Sequence, residues 1–132
     1  MNDQLNARID AIRTVGIPVR DQDQALEFYV ETLGFEKLMD APIDQLGGRW
    51  IEVRPPRSDV TIALTPARAQ TPAGVDTGIR FTTGDAAALH DRLSGRGVDV
   101  DDLLTWEGVP PMFDFRDPDG NVLYVSEVPA PA

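Results

Sequence analysis

The stretch DFRDPDGNVLYVSE, Asp114 to Glu127, holds the residues whose reading decides the fold. Its two ends alternate apolar and polar residues, which is the period of a half-buried strand. Between them, Pro118 fixes φ at the first central position of a tight turn. Asp119, Gly120 and Asn121 then supply side-chain caps and permissive backbone. The segment therefore predicts an antiparallel hairpin, and the turn by itself implies no chemistry.

Upstream of this hairpin the chain presents one unit twice. IRTVGIPV, from Ile12, alternates with Val15, Ile17 and Val19 on one face. Asp21 and Asp23 are helix-start signals. QALEFYVETLGF carries Leu26, Tyr29, Val30 and Leu33 at helical spacing, and Gly34 stands where a left-handed residue ends a helix. FEKLM, RWIEV and VTIALT follow as short strands, punctuated by Gly-Gly and Pro-Pro. After a linker at about 67–76 the order returns. GIRFTT is a strand, Asp85 opens a helix with Leu89 and Leu93 as core positions, and Gly97 closes it. VDVDDLL, PMFDFR and NVLYVSEV are then extended. Asp21 matches Asp85, Leu26 matches Leu89 and Gly34 matches Gly97, so the reading is α+β, two βαβββ modules spanning about 12–66 and 77–128 of a single domain.

VGIPVRDQDQALEFYVETLGF together with FRDPDGNVLYVSE resembles the vicinal oxygen chelate superfamily, which includes glyoxalase I, bleomycin resistance proteins and extradiol dioxygenases. The resemblance runs from about Ile12 to Val128. It implies paired modules whose curved sheets form a cupped cavity, and a second copy packed beside the first as a homodimer. Metal-dependent members carry ligands on the first and last strand of each module. The matching residues here are Thr14, Ala63, Gly78 and Tyr124, and none is a His, Glu or Gln.

Elementary coordination chemistry leads to the same expectation. A catalytic site for a first-row divalent metal needs about three nitrogen or oxygen ligands in fixed geometry. The chain has one His, His90, which helical spacing places off the Leu89/Leu93 stripe and so toward solvent, and it has no Cys. The expectation is no metal and no cofactor.

Strand alternation assigns the inward positions. With Val15, Ile17 and Val19 under the helices, Thr14 and Gly16 face the cup. By the same logic Trp50, Glu52 and Arg54 line it from one strand, and Thr61 and Ala63 from the next. Arg80 and Thr82, then Met112, Asp114 and Arg116, then Tyr124 and Ser126 complete it, with Trp106 in a loop at its edge. An aromatic wall with a few placed polar groups is the composition of a ligand pocket. The same charged residues also suit solvated ion pairs, and Trp50 a subunit interface. Glu52 or Asp114 is a candidate base, with Tyr124 as donor to an oxyanion and Arg80 or Arg116 balancing charge.

Composition bounds the function. The formal charge of -10, from 22 acids and 12 bases, disfavours nucleic acid and anionic membrane and favours a cationic ligand. The absence of Cys removes disulfides and a thiol nucleophile. No apolar run approaches a membrane span and the first residues lack secretory organisation, so a cytoplasmic location is expected. The leading expectation is a metal-independent small-molecule binding protein holding an aromatic or cationic organic ligand. The alternatives are a glyoxalase-like lyase, isomerase or dioxygenase, and a dimeric scaffold with a filled cup.

Overall fold

The computed structural model describes residues 6–129. Eight strands form two four-stranded sheets. The first sheet has the order β1-β4-β3-β2, from β1 (Thr14–Val19), β2 (Glu36–Ile43), β3 (Gly48–Arg54) and β4 (Thr61–Pro66). The second has the order β5-β8-β7-β6, from β5 (Asp76–Thr83), β6 (Asp99–Val100), β7 (Met112–Arg116) and β8 (Val122–Glu127). Each sheet pairs its first and last strands in parallel and the rest antiparallel. A helix links the first two strands of each: α1 (Gln22–Glu27) and α2 (Ala86–Gly95). The α+β, twice-repeated βαβββ architecture is thus present.

Local chemistry explains the helix ends. Asp21 accepts from the Gln24 amide at 3.0 Å and Asp85 from the Ala88 amide at 3.0 Å, each satisfying an orphan donor of the first turn. Gly34 and Gly97 follow the helices at φ 81° and 82°, where a Cβ would be strained. The spacing predicts one α-helix through Leu33, but α1 stops at Glu27 and widens into a π-turn over Phe28–Thr32. The wider turn coincides with the burial of Tyr29, which is 0% exposed and donates its hydroxyl across to the second module. Apolar periodicity cannot register such a partner.

The helix side of each sheet is the core. Ile17, Val19, Ile51, Val53, Ile62 and Leu64 are buried in the first module, and Phe113, Phe115, Leu123, Val125 and Leu93 in the second. Fully burying one such side chain contributes about 1.5–3 kcal/mol. Phe35 meets Phe81 edge-on, with ring centroids 5.4 Å apart, and so joins the two apolar clusters.

The turn in DPDGN does more than reverse the chain. Gly120 donates to the Asp117 carbonyl at 2.9 Å, and Asp117 Oδ1 accepts from the Asp119 and Asn121 amides. The capping side chain is therefore Asp117, which frees Asp119 and Asn121 for long-range bonds. Asn121, 0% exposed, accepts from the Gly74 and Val75 amides at 2.8 and 3.0 Å. Its amide nitrogen donates to the Pro18 carbonyl and to Asp117 Oδ2, both at 2.9 Å. Tyr29 donates to the same Asp117 oxygen at 2.8 Å, and Asp119 accepts from the Arg20 amide at 3.0 Å. Burial, then the Asp117 charge, hold the Tyr29 phenol well above its usual range, so it stays a donor. The turn clamps the end of β1, the linker and α1 to the second sheet.

Candidate functional site

Among the described residues, every hydrogen bond, ion pair and ring contact between the modules comes from the helix side, the strand ends or the DPDGN turn. The opposite, open face of each sheet is left without a contact to the other. Each carries part of the expected cavity residues, and among the described residues no hydrogen bond, ion pair or ring contact joins the two parts within one chain.

On the first sheet the register sets Gly16, Ala63, Glu52 and Met39 side by side across β1, β4, β3 and β2. Glu52 is 4% exposed, yet it is fully partnered. Trp50 Nε1 donates to it at 2.6 Å, Thr61 Oγ1 at 2.8 Å and Arg13 at 2.8 Å. The Trp50 bond, with help from Thr61 and Arg13, holds the carboxyl below its usual range despite burial. Such a group keeps its negative charge and positions the indole. This corrects the expectation of Glu52 as a base, because three donors stabilise the carboxylate and so lower its affinity for a proton. Arg54 pairs with Glu36 at 3.2 Å on the same face, and Thr14 donates to the Thr61 carbonyl at 3.2 Å.

On the second sheet the corresponding row is Arg80, Tyr124 and Asp114 across β5, β8 and β7. Tyr124 donates to Asp76 Oδ2 at 2.7 Å, and the Arg80 guanidinium lies 4.4 Å from its ring centroid. The bond to Asp76 raises the Tyr124 pKa and lowers that of Asp76. The hydroxyl is therefore already committed, which corrects its expected role as an oxyanion donor. Arg116 grips Asp101 through two nitrogens at 2.9 and 3.0 Å. Asp114 is half-buried beside that pair. Desolvation first, then the Asp101 charge, push its carboxyl up. Met112 lies one row further, opposite Ser126, while Trp106 stands in its loop 64% exposed.

The four positions where metal-binding relatives carry ligands each have a different environment. Ala63 is 1% exposed within its sheet. Gly78 sits at φ 68° where the β5 register slips between Asp76 and Arg80, a bulge no alternation rule anticipates. Among the described residues no three His, Cys, Asp or Glu side chains are arranged to hold a metal ion. His90 corrects the expectation of solvent exposure. Its ring meets Phe113 edge-on at 5.3 Å, its Nε2 lies 2.9 Å from the Asp101 carbonyl, and its side chain is 21% exposed. Residues that sequence reasoning missed are Arg13 and Asp76, which anchor Glu52 and Tyr124. Asp76 precedes the recognised strand, and Arg13, although inside IRTVGIPV, stands ahead of β1, where alternation no longer sets its direction. Among the described residues no helix is long and apolar enough to cross a membrane.

A family model described as the Glyoxalase/Bleomycin resistance protein/Dioxygenase superfamily matches residues 9–125. The crystal structure of TnmS3, an antibiotic binding protein from Streptomyces sp. CB03234, is similar at 35% identity and TM-score 0.80. That match covers 92% of this chain and 98% of the other. A superfamily member from Sphaerobacter thermophilus DSM 20745 is similar at 34% identity and TM-score 0.81, covering 91% and 98%. The Bacillus subtilis (strain 168) protein YurT is 30% identical over 124 residues, which is 86% of this chain and 96% of that protein.

Proposed function

The chain belongs to the glyoxalase/bleomycin resistance protein/dioxygenase superfamily, and we propose that within it this protein is a metal-independent binder of a small organic ligand. The observation that carries this reading is the pair of pinned aromatic rings. Trp50 is held through its nitrogen by Glu52 and Tyr124 through its hydroxyl by Asp76, so each ring is fixed by its polar end on an open sheet face. Rigid amphipathic rings give contact area at low entropic cost. The second face also gathers Asp76, Asp99, Asp101 and Asp114 against only Arg80 and Arg116, a balance that favours a cationic or electron-poor aromatic ligand. Similarity to an antibiotic binding protein over nearly the whole chain supports the same class.

Because the two faces point away from the junction between modules, a closed cup takes its second wall from a second copy. Titration of the protein with cationic aromatic antibiotics, followed by Trp fluorescence and calorimetry, tests the proposal. Saturable binding is expected, weakened about tenfold or more by Trp50→Ala. A broad panel without any binding refutes it, as does stoichiometric zinc, nickel, manganese or iron that survives dialysis.

A further inference from the structure

We propose a second ligand site, distinct from the open faces, in the seam between the modules: a cleft for a small amphipathic organic anion. It neither uses nor depends on the binding reading above. On the helix side, Leu33 and Phe35 from the first module meet Phe81, Leu93, Phe115 and Val125 from the second around a cavity of about 190 Å³. Phe81 lies between Phe35 and Phe115, at centroid distances of 5.4 and 6.4 Å, so three rings form one wall. An apolar cavity of about 150 Å³ stays dry and accepts a benzene-sized molecule, so this one has room for a phenyl group or a short branched chain.

The cavity opens into a wider cleft of about 690 Å³, with which it shares Pro55, Pro56, Phe81, Thr82 and Thr83. Arg92 lines the first, and Arg57 and Arg80 line the second. Among the described residues no Asp or Glu lines either one. In a protein of net charge -10, Arg57 and Arg92 are two guanidinium groups along one cleft without a facing carboxylate among the described residues. Arg80 is occupied by the Gly78 carbonyl and the Tyr124 ring. Arg57 and Arg92 have no carboxylate partner among the described residues, whereas Arg13, Arg20, Arg49, Arg54 and Arg116 all do. A ligand with an apolar body and a carboxylate or sulfonate head matches both parts. Its body displaces no ordered polar contact, and its head finds guanidinium donors, the geometry arginine recognises best.

The test is amide chemical-shift mapping of the full-length protein with 3-phenylpropionate, and with 3-phenylpropylamine as the cationic counterpart. The expected result is shifts at Leu33, Phe81, Leu93 and Val125 with the carboxylate and none there with the amine. Arg57→Gln/Arg92→Gln, both at exposed positions, is expected to weaken the carboxylate about tenfold while leaving the fold unchanged in the same spectra. Seam amides silent to millimolar 3-phenylpropionate overturn the site. So do equal responses to acid and amine, an unaltered affinity in the double variant, or shifts confined to the Trp50 and Tyr124 faces.

Discussion

Replacing Asn121 with alanine removes four hydrogen bonds at once, and the structure allows the cost to be worked out. The side chain is wholly buried and bonds the Gly74 and Val75 amides, the Pro18 carbonyl and Asp117. A typical net bond is worth about 1 kcal/mol. Three of the partners are backbone groups at partly buried sites, so water recovers some of the loss. The expected destabilisation is about 3 kcal/mol, a large fraction of the 5–15 kcal/mol by which domains are typically stable. Tyr29→Phe deletes one bond to the same Asp117 oxygen and should cost about 1.5 kcal/mol. The double variant should fall short of the sum, since both bonds converge on one carboxylate. Asn121→Asp keeps an acceptor for Gly74 and Val75 but turns a donor facing Asp117 into a second carboxylate. Its folded pKa is then raised, so its penalty is present at neutral pH and relieved as pH falls through that value. Equilibrium urea unfolding at one fixed protein concentration measures all four proteins. A loss below 1 kcal/mol for Asn121→Ala, or one no larger than that of Tyr29→Phe, refutes the clamp.

Two further outcomes follow from the charged groups on the open faces. The folded-state pKa of Glu52 is lowered, so its stabilisation is present above the ordinary carboxylate range and lost as pH falls through the folded value. Glu52→Gln should cost about 1–2 kcal/mol at pH 7 and flatten the acid limb of urea midpoints measured from pH 7 to 3; an unchanged limb refutes it. The Asp114 carboxyl is raised, so its ionised form opposes folding once pH exceeds that raised value. Asp114→Asn should raise the urea midpoint at pH 7, by about 0.5 kcal/mol of stability, with the gain vanishing in acid; a loss at pH 7 refutes the assigned sign.

What was legible in the sequence was what is local. Asp21, Asp85, Gly34 and Gly97 mark helix ends because their effects act within four residues, through a cap or a positive φ. Alternation identified the buried faces of β1, β7 and β8, where one face is covered, whereas on β3 and β4 Glu52, Thr61 and Ala63 of the other face are buried as well. The bonds of Asn121 to Val75 and Pro18 span 46 and 103 positions, and that of Arg13 to Glu52 spans 39. No pattern of neighbouring residues encodes such a pairing. The π-turn at Phe28–Thr32, which coincides with the buried Tyr29–Asp117 bond, and the bulge at Gly78 likewise depart from the simple periods.

The four missing ligands differ in kind, and that difference argues against a simple loss of metal. At Gly78 the obstacle is the backbone conformation itself. A histidine there would adopt φ near 68°, a conformation that strains any side-chain-bearing residue by about 1–2 kcal/mol. At Ala63 a glutamate would enter a buried position registered directly against Glu52, adding a second carboxylate to one already saturated by Trp50, Thr61 and Arg13. At Tyr124 a glutamate would abandon the bond to Asp76 and place a third acid near Asp76 and Asp114. Only at Thr14 would a substitution sacrifice little, one bond to the Thr61 carbonyl at 3.2 Å. Three of the four substitutions therefore meet an obstacle, from the backbone at Gly78 and from neighbouring side chains at Ala63 and Tyr124. The open faces are organised around two ring–carboxylate pairs, the arrangement on which the proposed ligand binding rests.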